Sequence, residues 1–153
     1  LVLALAAVSL TACPDTRTVV NFDTDPQILR GSWNFVLKDL TGALVSTQSV
    51  VFTATFVSDN TYSVAAAVNL SGEAYALGGT VAAVNARFVR SQTTLLPPVL
   101  LTLTGQTSAK RYFADLGGPV QFEGSWTYSG RLIADRSDAN PEAKNYTLEI
   151  IRN

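Results

Sequence analysis

The side chains that could do chemistry in this 153-residue chain are carboxylates, hydroxyls and one thiol; histidine and methionine are absent. Without imidazole there is no His general base and no Ser-His-Asp triad. The usual zinc, haem and copper ligand sets are excluded for the same reason. Glu73, Asp115, Glu123 and Glu149 could pair as acid and base in a glycosidase-like site, but nothing in their spacing says that they meet. Asp138, Asn140 and Glu142 set oxygen donors at spacing two, a pattern that can converge on Ca2+ in a loop. The turn glycine of an EF-hand is missing there and Pro141 stiffens the loop, so a solvated hairpin is the simpler reading. Asn21, Asp23 and Asp25 repeat the spacing with the same weakness. No enzymatic activity, metal site or cofactor is expected from these residues.

The thiol is different. Residues 1–12 are an unbroken run of apolar and small residues that ends at Cys13, the sole cysteine. A run of that length matches the core of a signal peptide and is too short to span a bilayer. Its last residues, Leu10-Thr11-Ala12-Cys13, resemble the lipobox of bacterial lipoprotein signal peptides. The resemblance implies a diacylglycerol thioether on Cys13, cleavage before it, and acylation of the new N-terminus. Residues 1–12 are then part of a signal peptide, residues 13–28 a lipidated polar tether, and residues 29–153 the folded domain. The membrane is a partner through this lipid, and several acyl groups hold far more firmly than one. Pro14 follows the cysteine where inner-membrane lipoproteins of some diderm bacteria carry Asp, which points to the outer membrane of a diderm cell envelope.

The elements that must position anything else are strands. From Gly31 onward the apolar period is two. Trp33, Phe35 and Leu37 alternate with polar neighbours, as do Val50, Phe52, Ala54 and Phe56, then Tyr62, Val64, Ala66 and Val68. Turn signals fall at Thr41-Gly42, Ser58-Asp59-Asn60, Ser71-Gly72 and Gly105 to Ser108. Gly78-Gly79 reads as a bulge or bend, Asn85 as a tight hairpin, and Gly117-Gly118-Pro119 as the end of a short strand. Residues 120–128 give the cleanest alternation, and Gly130 permits a bend after them. One-turn helices are conceivable near residues 26–29 and 140–143. About nine strand-like segments with no helical period imply an all-β antiparallel domain. Closure into an up-and-down barrel of about eight strands removes sheet edges; an antiparallel β-sandwich, the alternative, only manages them. The net charge of −1 is scattered, which excludes the basic stripe that nucleic acid requires.

Gly31-Ser32-Trp33 recurs as Gly124-Ser125-Trp126, and these hold the two tryptophans. The first copy, in Leu29-Arg30-Gly31-Ser32-Trp33, resembles the lipocalin and bacterial lipocalin-like families, whose first strand carries Gly-x-Trp. The stretch from Phe56 through Asp59-Asn60 to Thr61-Tyr62-Ser63-Val64 is similar to their following hairpin. The resemblance spans residues 29–64. It implies a closed eight-stranded antiparallel barrel whose Trp33 plugs one end under a basic residue from a late strand, Arg131 or Arg152. The family's C-terminal helix is not visible, and its disulfide cannot form with one cysteine.

Two functions compete. In the first, the chain is a monomeric, lipid-anchored binding module that takes a small apolar or amphipathic ligand into the barrel mouth. Phe52, Phe56, Phe122 and Tyr128 would then meet cargo, with Thr53, Thr55 and Tyr128 supplying hydroxyls. In the second, it is a structural or protein-interaction lipoprotein whose barrel is packed solid. The volume left in the lumen discriminates them.

Overall fold

The first strand states the rule for the whole domain. In β1 (Gly31–Lys38) Trp33, Phe35 and Leu37 are buried while the intervening positions are open to solvent, so one face of a period-two strand points into a core. The computed structural model describes residues 29–58, 61–82, 99–122 and 125–152, with the side chains at 82 and 120–122 left aside. Seven more strands follow: β2 (Leu44–Ser58), β3 (Thr61–Leu70), β4 (Glu73–Ala82), β5 (Val99–Gly105), β6 (Arg111–Phe122), β7 (Ser125–Ala134) and β8 (Tyr146–Arg152). The lipobox with Cys13, the tether, Asp59-Asn60, Asn85, and Glu123-Gly124 lie outside the described residues.

Each strand pairs antiparallel with the next, and β1 also pairs with β8, Phe35 opposite Ile150 and Leu37 opposite Leu148. The sheet is therefore a closed eight-stranded up-and-down barrel and not a sandwich. Eight strands leave an interior just wide enough for side chains to fill. Phe35, Phe52, Tyr128, Leu101, Leu103, Leu116, Leu132, Leu148 and Ile150 fill it, all under 2% exposed. The apolar lumen is the reverse of a membrane-spanning barrel, whose interior is polar. No helix forms among the described residues, and residues 137–142 make turns instead.

Close packing explains why the glycines were misleading as punctuation. Gly78-Gly79 is no bulge: β4 pairs with β3 in unbroken register through both. A Cβ on Gly79 would stand 2.7 Å from the Leu101 side chain and 2.3 Å from the Leu100 carbonyl oxygen. The glycine leaves room for the β5 backbone at Leu100 and Leu101. Gly130 is no bend either. It lies within β7, between Leu116 on β6 and Leu148 on β8, both fully buried. Gly117-Gly118-Pro119 does not end a strand; β6 runs through it with a register shift between Gly117 and Val120. The clean alternation of residues 120–128 is in fact a hairpin, with Phe122 opposite Ser125 and Gln121 opposite Trp126. Alternation read along a sequence does not register a two-residue reversal.

Candidate functional site

An up-and-down barrel gathers alternate turns at opposite ends. One end holds the incoming residues Leu29 and Arg30, the β2–β3 and β6–β7 connections, and Arg152. The other, the mouth, holds the β1–β2, β3–β4, β5–β6 and β7–β8 connections.

The first end is sealed. Leu29, just ahead of β1, is fully buried with φ +50, and Gly31 has φ +84, so the backbone turns sharply there and Leu29 joins the core. The Trp33 indole N–H donates to the Arg30 carbonyl at 3.0 Å. Arg152 donates to the same carbonyl at 3.3 Å and lays its guanidinium 5.6 Å from the Trp33 ring centre. Tyr128 packs on the inner side of Trp33, ring centres 5.7 Å apart. Of the two basic residues expected over Trp33, Arg152 takes the place. Arg131 does not: it is exposed on the outer face, opposite Asp115.

The four aromatic residues expected to meet cargo do not line the mouth. Phe52 pairs with Gly31 beside the sealed end and is buried in packing. Tyr128 is wholly buried against Trp33. Phe56 lies beyond the sealed end, 61% exposed, with its ring against Tyr62. The Phe122 backbone falls in the β6–β7 hairpin near that same end, and its side chain is outside the described residues. Thr53 and Thr55 face solvent. Even strand parity puts residues on one face of a strand but leaves open which end of the barrel they reach.

The mouth carries a cavity of about 470 Å³. Tyr75, Tyr112 and Tyr146 form its aromatic wall, with ring centres 5.7 Å apart for the first pair and 6.4 Å for the second. Leu37 and Leu70 contribute apolar floor, and Ser46, Asn69, Lys110, Glu142 and Lys144 add polar ends. Next to these rings Leu103, paired with Tyr112, and Leu132, paired with Tyr146, are fully buried in the core that fills the lumen. The cavity is a shallow basin over a packed core. Burial pushes the Tyr75 and Tyr112 hydroxyls above the ordinary tyrosine range, so both are protonated donors at neutral pH.

Two loops hold the rim. Glu73 accepts from the Ser108 N–H at 2.7 Å, the Ser108 hydroxyl at 2.8 Å and the Thr107 N–H at 3.1 Å, which ties the β5–β6 loop to β4. Those bonds, led by the Ser108 N–H, hold its carboxyl below the usual range. A depressed folded-state value means stabilisation that is fully present above the ordinary value of 4.5 and is lost as pH falls through the folded one. Protection of the Thr107 and Ser108 amides, measured against their intrinsic exchange at each pH, is therefore expected to fall on acidification below about pH 4.5. In Glu73→Gln the loop should be loose already at neutral pH, with no further change on that titration.

The β7–β8 loop is pinned by Asn140, the one buried polar residue among those described. Its side-chain amide donates to the Arg111 carbonyl at 3.3 Å, while Arg111 pairs with Asp135 at 2.7 Å. This arrangement overturns the Ca2+ pattern at Asp138, Asn140 and Glu142. Asn140 turns inward and its neighbours stay exposed, and no cluster of three metal-ligating side chains exists among the described residues. The carboxylates weighed as an acid–base pair are also dispersed. Glu73 holds its loop, Glu149 pairs with Lys38 at 2.8 Å, and Asp115 is exposed on the outer face. Glu123 is outside the described residues.

A scan against known protein families finds no match, and no curated protein matches the sequence. Among solved structures, a redesigned beta barrel is similar over 82% of this chain and 91% of its own, at 14% identity and a TM-score of 0.46. The chain itself is an all-β, closed, eight-stranded antiparallel barrel.

Proposed function

We propose that this protein is a lipid-anchored lipoprotein of the bacterial cell envelope whose barrel, acting as a monomer, binds a small amphipathic molecule at its mouth. The observation that supports the reading best is the mouth cavity. Its volume of about 470 Å³ falls within the range of roughly 300–1,000 Å³ typical of ligand sites. Its walls combine aromatic faces with hydrogen-bonding ends, and its rim is fixed in advance by Glu73 and Asn140. A preformed rim lowers the ordering cost of binding.

The test is titration of the soluble Cys13→Ser protein with an amphipathic fluorescent probe, anilinonaphthalene sulfonate. Saturable binding is expected, weakened about tenfold in Tyr112→Ala, equivalent to about 1.4 kcal/mol, and unchanged in Phe56→Ser. Absence of saturable binding would move the reading to the second function, a structural or protein-interaction lipoprotein. That reading draws on the filled lumen and on an apolar outer patch where Phe113 and Ile133 face each other, 43% and 40% exposed. Both readings keep the lipid anchor. Cys13→Ser is expected to abolish metabolic labelling of the chain with palmitate. If the variant is labelled as the parent is, the anchor is wrong.

A further inference from the structure

We propose, building on the mouth as a binding site, that its ligand is a neutral polyhydroxylated ring, of mono- or disaccharide size, and not an acyl chain. Depth is the first reason. Leu103 and Leu132, the cross-strand partners of Tyr112 and Tyr146, and Leu148 are fully buried in the core that fills the lumen, so an extended chain finds no channel into it. The basin suits something short and broad.

The walls are the second reason. An alkyl chain here would cover polar ends without replacing the hydrogen bonds they make to water, which is costly. A sugar offers apolar C–H faces to an aromatic ring and hydroxyls to everything around its edge. Tyr146 is the tyrosine left partly open to receive such a face, since Tyr75 and Tyr112 are buried.

Charge is the third reason. The ionisable carboxylates and ammoniums lining the basin are Glu73, Glu142, Lys110 and Lys144, two of each sign. Glu73 stays ionised while it holds the β5–β6 loop, so the four formal charges cancel and leave no net charge to select an anion or a cation.

Ser46 supplies the last and most specific reason. Its hydroxyl lies in the basin wall, inaccessible to solvent, and makes no hydrogen bond in the protein. A buried hydroxyl without a partner is destabilising, and turning about its Cα–Cβ bond into the basin that Ser46 lines would let it meet a ligand hydroxyl.

The experiment is calorimetric titration of the Cys13→Ser protein, and of its Ser46→Ala and Tyr146→Ala derivatives, with maltose, with N,N′-diacetylchitobiose and with decanoate. At least one sugar is expected to bind saturably, with affinity falling two- to tenfold in Ser46→Ala and by tenfold or more in Tyr146→Ala. The unliganded Ser46→Ala protein should melt at the same temperature as its parent or higher. Weaker sugar binding by a protein that is no less stable is a result that a merely structural serine would not give. Saturable decanoate binding with neither sugar bound would overturn the sugar assignment and leave the binding reading intact. If the sugars, decanoate and anilinonaphthalene sulfonate all fail to bind, both fall. Sugar binding unaffected by Ser46→Ala and Tyr146→Ala would place the sugar outside this basin and overturn the proposal.

Discussion

Trp33→Ala is expected to lower the unfolding free energy by about 3–5 kcal/mol, the usual loss for truncating a fully buried aromatic residue. The ring is 2% exposed, so the deletion opens a cavity that water cannot easily fill. Three other groups lose a partner at once. The Arg30 carbonyl loses one of its two donors, Arg152 loses the ring it covers, and Tyr128 loses its packing surface. Against a typical total of about 5–15 kcal/mol, the variant would be marginal. Urea denaturation followed by circular dichroism measures it, the midpoint falling while the slope stays fixed. Arg152→Ala should cost about 1 kcal/mol through the lost cation–π contact and hydrogen bond. Arg131→Ala, on the outer face, should stay within about 0.5 kcal/mol of the parent. A Trp33→Ala loss below about 1 kcal/mol would mean that the sealed end does not hold the barrel together.

Gly130→Ala is the second large effect, and it comes from adding one methyl group. The new Cβ would stand 1.9 Å from the Asp115 carbonyl oxygen and 2.9 Å from the Leu116 Cα. Both are backbone atoms of β6, so no side chain can swing away to make room. β6 and β7 must separate where Leu116, Gly130 and Leu148 lie side by side across three strands. The expected loss is about 3 kcal/mol, the upper end of ordinary overpacking penalties. Faster amide exchange should be confined at first to those three strands. Gly78→Ala is the contrast: its nearest neighbour would be 4.0 Å away, and alanine restricts the unfolded chain more than glycine does. That variant should be neutral or slightly more stable. Equal losses at the two positions would show that general strand propensity, and not close approach of β6, sets the cost.

The same two residues show how far the sequence could be read. Trp33, in its Gly-Ser-Trp setting at the head of a period-two strand, was legible as a core plug. The Arg that covers it was legible only as a pair, Arg131 or Arg152, because both sit in late strands. Register decided between them: Arg152 lies at the sealed rim while Arg131 sits opposite Asp115 on the outside. Gly130 was legible only as flexibility, since a sequence records that a side chain is missing but not what occupies its space.

Tyr75, Tyr112 and Tyr146 were visible as strand residues and missed as a set. Yet each stands within the first three residues of an even-numbered strand. In an up-and-down barrel all even strands start at the same rim, so once the strand order was assumed the cluster could have been placed. Phe52, Phe56, Phe122 and Tyr128 drew attention because large rings on an alternating face look available. Alternation orders residues across a strand; height along the barrel comes from pairing between strands.

By itself, then, the sequence determined the class of the fold, because period-two patterning and frequent turn residues are local properties that any short window displays. It also excluded imidazole and zinc, haem or copper chemistry by composition. Only the tertiary structure decided that the lumen is packed, that one end is sealed by Trp33 and Arg152, and that the mouth is ringed by tyrosines. Those facts depend on which strands are neighbours and in what register. β1 meets β8 across more than a hundred residues of chain, as Lys38 and Glu149 do in their ion pair, and no local pattern encodes that meeting.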